Sequence, residues 1–227
     1  VDLRFGQTVL DVGTGTGNTA LSAARRGARV VGLDALPSVI ALARERARAE
    51  TLRIRFVTGA AEFLPIKSDL FAVTLSSFGT MFSTDPDATA EELVRVTTPG
   101  GSIGLASWTS GGLIGQIYTA VAGTRGDRRD PTDWGNRDQI SAWFGSYAGA
   151  MNTATRMVRL RGPSAEQFVD YIADTLGPVK RAMEARGPEA QAELRATLVE
   201  LCKSANAADD GTFSAPAEYL EVVIRLR

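Results

Sequence analysis

From Thr8 onward, short apolar runs alternate with stretches of helical spacing. Thr8–Val12 is apolar and β-branched and stops at Gly13, which predicts a strand. Asn18–Arg26 carries Ala20, Leu21, Ala23 and Ala24 at helical spacing and halts at Gly27, a natural C-terminal glycine. Arg29–Asp34, "RVVGLD", predicts a second strand with Val30, Val31 and Leu33 as its buried signal. Pro37 then opens "PSVIALARERARAE", an amphipathic helix whose first turn tolerates proline. Ile54–Thr58 and Leu70–Ser76 predict a third and a fourth strand. Asp85–Thr97 predicts a helix ended by Pro99-Gly100-Gly101, and Ser102–Ala106 a fifth strand.

Strands alternating with helices imply βαβ units and a parallel sheet. Right-handed crossovers put helices on both faces, giving an α/β, doubly wound, Rossmann-like architecture. Ligands of such sheets bind beyond the carboxyl ends of the strands, where Gly13, Asp34, Ala60, Ser77 and Ser107 would all fall. The second half is less regular. Helices are expected at Leu113–Gly123, Gln139–Phe144, Ser164–Asp174 and Pro188–Ser204, with a polar loop over 124–138. Strands are expected at Thr153–Leu160 and Glu218–Leu226. About 50 residues lie between these last two strands, far more than a hairpin needs, so residues 162–210 read as a helical insertion serving as a cap or an oligomer contact. The whole chain, 1–227, reads as one domain bearing that insertion.

Composition narrows the chemistry. Lys plus Arg number 25 and Asp plus Glu 26, a net charge of −1 that gives no electrostatic reason to expect nucleic acid. No apolar run approaches the roughly 20 residues of a membrane span, and no signal-peptide pattern opens the chain. The single cysteine, Cys202, excludes an intrachain disulfide or a cysteine zinc cluster and suggests a reducing compartment, so a cytoplasmic location is expected. Histidine is absent, which excludes Ser-His-Asp and Cys-His catalysis and histidine-rich zinc sites. A general base must be Asp, Glu, Tyr or Lys, or water held by one of them. Three lysines against 22 arginines point to a GC-rich genome.

The stretch "VLDVGTGTGN", Val9–Asn18, concentrates the chemistry. Alternating glycines after a strand let backbone N–H groups approach a ligand at a helix N-terminus. A dinucleotide fingerprint G-x-G-x-x-G would need glycine where Asn18 stands; the pattern here is D-x-G-x-G-x-G from Asp11 to Gly17. An acid just before the first glycine suits a ligand carrying a cation, such as an aminoacyl group, and repels a phosphate. On these residues the chain resembles the class I S-adenosylmethionine-dependent methyltransferases, in particular the small bacterial group akin to the quinone-biosynthesis enzymes. "GLDALPSVIALAR" resembles their ribose-binding segment, "GAAEFLP" their adenine segment, and "ELVRVTTPGGSIGLASW" their fifth-strand region.

The resemblance implies a mostly parallel sheet of about seven strands with the last antiparallel, and a small helical cap. It implies S-adenosyl-L-methionine as cofactor, S-adenosyl-L-homocysteine as product, and methyl transfer to a small, hydrophobic acceptor. Asp11 would hold the methionine amine directly or through water, and Gly13 and Gly15 would pass under the methionyl chain. Thr14, Gly17, Asn18 and Ser77 would complete that wall. Asp34 would accept the ribose hydroxyls, Ala35 would touch adenine, Ala61 would offer it a backbone N–H, and Glu62 is a further candidate. Ala60 replaces the family's usual aspartate, a loss of about 0.5–1.5 kcal/mol if one hydrogen bond goes. Only Val1–Gln7 precede the first strand, where the family usually carries helices that help cover the site.

The residues after the fourth and fifth strands would form the acceptor chamber: Phe78, Met81, Phe82 and Trp108, with Ser76 or Ser77 as polar contacts. Trp134 and Trp143 are expected to anchor packing. Asp209, Asp210, Glu218 and Tyr219 are candidate bases among which the sequence does not choose. No metal is expected. Two alternatives stay open: the same cofactor serving a reaction other than methylation, and a degenerate binding module. Partners are limited to a small-molecule substrate, without nucleic acid or membrane, and a homo-oligomer is left open.

Overall fold

The structure, a computed structural model, describes residues 1–122 and 130–227. Its strands are β1 (Thr8–Val12), β2 (Arg29–Asp34), β3 (Ile54–Thr58), β4 (Phe71–Ser77), β5 (Thr97–Trp108), β6 (Ala148–Gly162) and β7 (Phe213–Leu226). Its helices are α1 (Asn18–Arg25), α2 (Pro37–Ala49), α3 (Pro86–Val96), α4 (Leu113–Ala122), α5 (Arg137–Phe144), α6 (Ala165–Thr175), α7 (Gly177–Glu184) and α8 (Pro188–Ala205). The strands form one seven-stranded sheet in the order β3-β2-β1-β4-β5-β7-β6. β1 to β5 run parallel, with Leu10 opposite Val31 and Thr74, and Gly32 opposite Phe56. β7 reverses direction. The Thr109 N–H donates to the Glu218 carbonyl and the Gly100 N–H to that of Arg227, so one strand climbs as the other descends. This is the doubly wound sheet with an antiparallel last strand expected above.

β1 lies between β2 and β4, which is why four of its five residues are buried, Asp11 among them. α1 and α2 pack on one face through Ala20, Leu21, Ile40 and Ala43 against Val9, Val30, Phe56 and Val73. Each fully buried large side chain there contributes about 1.5–3 kcal/mol.

Several boundaries differ from the expected ones. α3 stops at Val96 and Thr97 already pairs with Phe71, so Pro99-Gly100-Gly101 lies inside β5 rather than before it. The pairing slips there: Thr97 faces Phe71, and Ser102 faces Val73. That irregularity absorbs the proline, which has no N–H for the ladder. β6 and β7 begin earlier than their apolar patterns suggest. β6 is an exposed edge strand, and the opening of β7 buries only small residues, Ala215 and Ala217, beside Phe213. α7 has no counterpart in the sequence pattern; Val179 is its one buried residue, too little for a periodic signal. The polar loop expected over 124–138 falls partly on residues 123–129, which lie outside the described residues. Its remainder contains a one-turn helix over Pro131–Gly135 that buries Trp134.

The chain divides into two compact units. The first comprises residues 1–107, 136–154 and 220–227, and the second 108–135 and 155–219. In the first, the Trp143 indole N–H donates to Asp87 at 2.6 Å and ties α5 to α3. In the second, α4, α6, α7 and α8 surround a core in which Phe168 stacks on Phe213 with centroids 4.5 Å apart. Among the described residues, no helix is long and apolar enough to cross a membrane.

Candidate cofactor-binding site

After β1 the backbone turns through Gly13, Gly15 and Gly17, all at positive φ (67°, 54° and 90°). The Thr14 N–H donates to the Leu33 carbonyl at 2.9 Å and the Gly17 N–H to that of Thr14 at 2.8 Å. Two of these glycines answer to different demands. A β-carbon on Gly13 would stand 2.6 Å from Gly79 Cα, so here glycine lets the loops after β1 and β4 touch backbone to backbone. A β-carbon on Gly15 would meet nothing within 4 Å. The space over Gly15 is open, and the backbone beneath it is bare.

Asp34, at the end of β2, stands beside that space. Its Oδ2 accepts the Gly15 N–H at 2.9 Å and its Oδ1 the Leu36 N–H at 3.0 Å. The cap residue of α2 is Leu36, so Asp34 closes the turn before the helix rather than capping it. A carboxylate offers about four acceptor sites, so each oxygen keeps a lone pair for a ligand hydroxyl. An open cradle of bare backbone next to a positioned carboxylate fits a ligand with a polar chain and vicinal hydroxyls. The residues present therefore fit the cofactor that the resemblance implies.

Asp11 stands near the end of β1. It is 1 % exposed, and its Oδ2 accepts the Thr14 hydroxyl at 2.6 Å and the Ala20 N–H at 3.0 Å. Burial pushes its carboxyl up to about 7, against the pull of those two hydrogen bonds and with a further push from Asp34. Asp11 therefore acts on the loop itself. Asn18 is likewise engaged, its Oδ1 accepting from Arg46 at 2.8 Å. Ser77, at the end of β4, accepts the Thr19 hydroxyl at 3.0 Å.

Past β3, Ala60 is exposed and bridges to Phe63, while Ala61 is half-buried. Glu62 accepts the Thr84 N–H at 2.5 Å and the Thr84 hydroxyl at 3.0 Å. Burial works to raise its pKa, but these bonds and backbone N–H groups at Glu62 and Asp85 hold it below the usual range. Glu62 thus pins the loop before α3. α3 holds the same segment from behind: Glu92 accepts the Leu64 N–H at 2.6 Å, and Arg95 donates to the Ile66 carbonyl at 2.8 Å.

Of the expected acceptor residues, Phe78 sits at the end of β4 with φ 58°, held by its N–H on the Ala106 carbonyl at 2.8 Å. Phe82 is 42 % exposed, but Met81 is buried and belongs to the core. Trp108 opens the second unit, its ring edge-on to Tyr219 with centroids 6.3 Å apart. Beside it Glu218 accepts the Thr109 hydroxyl at 2.7 Å. Asp210 instead accepts the Thr212 N–H and hydroxyl in the turn before β7, which separates it from the Trp108–Tyr219 pair. Nothing in the residue pattern singles out Arg46, Gly79, Leu36 or Phe63. Leu36 (59 % exposed) and Phe63 (79 %) are apolar side chains bared beside Ala35 and Glu62. Arg46 lies in a helix full of arginines, and their spacing does not distinguish it.

Residues 9–101, which contain the loop, Asp34, the Ala60–Glu62 segment and Ser77, match a family model described as a methyltransferase domain. An uncharacterized protein of Mycobacterium tuberculosis is 34 % identical over 203 residues, covering 86 % of this chain and 74 % of the relative. The demethylmenaquinone methyltransferase of Thermus thermophilus is 39 % identical over 97 residues, 42 % of this chain and 44 % of that enzyme. Among solved structures, the YcgJ protein of Bacillus subtilis superposes with a TM-score of 0.68 at 17 % identity, over 100 % of this chain and 94 % of that one. That last likeness is one of fold.

Proposed function

The chain belongs to the class I S-adenosylmethionine-dependent methyltransferases, and on that premise we propose that it moves a methyl group to a small, hydrophobic acceptor by in-line displacement. The observation that carries this reading is the open space over Gly15 beside the Asp34 carboxylate. When bound, the cofactor supplies a sulfonium methyl that is already electrophilic, so positioning and exclusion of water supply most of the catalysis.

Gly13, Thr14, Gly15 and Gly17 give the methionyl chain a wall without side chains. Asp34 receives the ribose hydroxyls on its remaining lone pairs. Ala35, Ala60 and Ala61 border the adenine, with the bared Leu36 and Phe63 as apolar surfaces for its faces. Asp11, Asn18 and Glu62 serve by holding the loops, and Ser77 supplies a hydroxyl at the end of β4. Phe78 and Phe82, aromatic groups at the same rim, favour an apolar acceptor. The stretch shared with an enzyme named for demethylmenaquinone supports the same class.

The test is a mass-spectrometric assay with S-adenosylmethionine and a panel of quinols and other apolar hydroxy-aromatics. S-adenosylhomocysteine formed in step with a methylated acceptor is the expected result. Cofactor binding with conversion of an acceptor that gains no methyl would favour a non-methylating reaction. A chain that binds neither form of the cofactor would be a degenerate module.

A further inference from the structure

α2 approaches the start of α1 closely because Ala43 faces Gly17, where a β-carbon on the glycine would stand 3.3 Å from that of Ala43. Arg46 lies three residues further on, on the same side of α2. Its Nη1 donates to the Thr16 carbonyl at 2.7 Å, the Thr16 hydroxyl at 3.0 Å and Asn18 Oδ1 at 2.8 Å. In an uninterrupted helix the Thr16 carbonyl would instead receive the Ala20 N–H. That N–H goes to Asp11, so the last residues of the glycine loop are divided between β1 on one side and α2 on the other.

We infer that Arg46 is a positioning residue for the cofactor loop. By taking the Thr16 carbonyl, it keeps this peptide from winding into α1 and so keeps the space over Gly15 open before a ligand arrives. A guanidinium suits this role because it is always charged, and charge-assisted hydrogen bonds are the stronger kind. Without it, the free energy of ordering the loop would be subtracted from cofactor binding. The inference rests on the methyltransferase reading above.

The same two helices are joined elsewhere by a second arginine, since Arg25 on α1 pairs with Glu50 beyond α2 at 2.6 Å. Arg25→Ala is therefore the control for loosened helix packing. The experiment is titration calorimetry of S-adenosylhomocysteine into wild type, Arg46→Ala, Arg46→Lys and Arg25→Ala, with melting temperatures and steady-state constants for each. Arg46→Ala should bind about tenfold more weakly, the value of one charge-assisted hydrogen bond. Its cofactor KM should rise with little change in kcat or acceptor KM, and Arg46→Lys should recover part of the loss. Arg25→Ala should bind within about twofold of wild type even where its melting temperature falls as far. Equal affinities for Arg46→Ala and wild type, or equal losses in Arg46→Ala and Arg25→Ala, would overturn the inference alone. A wild type that binds no cofactor would overturn the functional reading and the inference with it.

Discussion

Gly13 and Gly15 share a conformation but not a purpose, and substitution separates the two. Gly15→Val places a branched side chain in open space, at a strain of about 1–2 kcal/mol for the left-handed backbone. The fold should survive with an unchanged circular dichroism spectrum, while calorimetry should show cofactor affinity reduced at least about tenfold. Gly13→Ala forces a β-carbon against Gly79, where backbone on both sides leaves nothing to yield. It should lower the melting temperature more than Gly15→Val does. Asp11 gives a prediction in pH. Its carboxyl is raised by burial to about 7, so its contribution to stability is present in full below the ordinary value of 3.8 and is lost as pH rises through 7. Wild type should lose up to roughly 4 kcal/mol between pH 4 and pH 7 relative to Asp11→Asn, measured by denaturant melts.

Among the elements, the segment after β3 is held by side chains rather than by a helix. Glu62 reaches Thr84, and Glu92 with Arg95 reaches Leu64 and Ile66. Glu62→Ala should therefore loosen the start of α3 and lower the melting temperature, with cofactor affinity changed only modestly. Ala60→Asp is the opposite experiment. Ala60 is exposed and its side chain pins nothing, so a carboxylate there should leave stability alone and gain up to about tenfold in cofactor affinity. Calorimetry on the pair reads out both. Loss in Glu62→Ala without gain in Ala60→Asp would transfer the adenine contact to Glu62.

For the molecule taken entire, binding to the folded chain alone must appear as stability. At a ligand concentration 100 times Kd the gain is about 2.7 kcal/mol. For a chain of 227 residues that corresponds to roughly 5–10 °C in melting temperature, measurable by scanning calorimetry with S-adenosylhomocysteine. An unmoved transition under saturating ligand would contradict the cofactor site. The chain's one cysteine supplies a second check. Cys202 is buried in the second unit, and burial raises its thiol to about 11. It should resist thiol reagents until that unit opens.

The winding of the sheet and the place of its ligand rim are legible in residue order alone. Central parallel strands are buried on both faces and read as mainly apolar runs, as Val9–Val12 does around Asp11 and Val30–Leu33 around Gly32. Glycines at positive φ are equally legible, because few other residues can stand there. What each polar group touches is settled only by packing. Asp11, Asn18 and Glu62 look like ligand contacts in one dimension, yet each finds a partner within the protein: Thr14 and Ala20, Arg46, and Thr84. Arg46 and Asn18 are 28 residues apart, and Glu62 and Thr84 are 22 apart. Local pattern carries no information about such meetings. Which polar atoms come within about 3 Å of one another depends on how the whole chain packs at once.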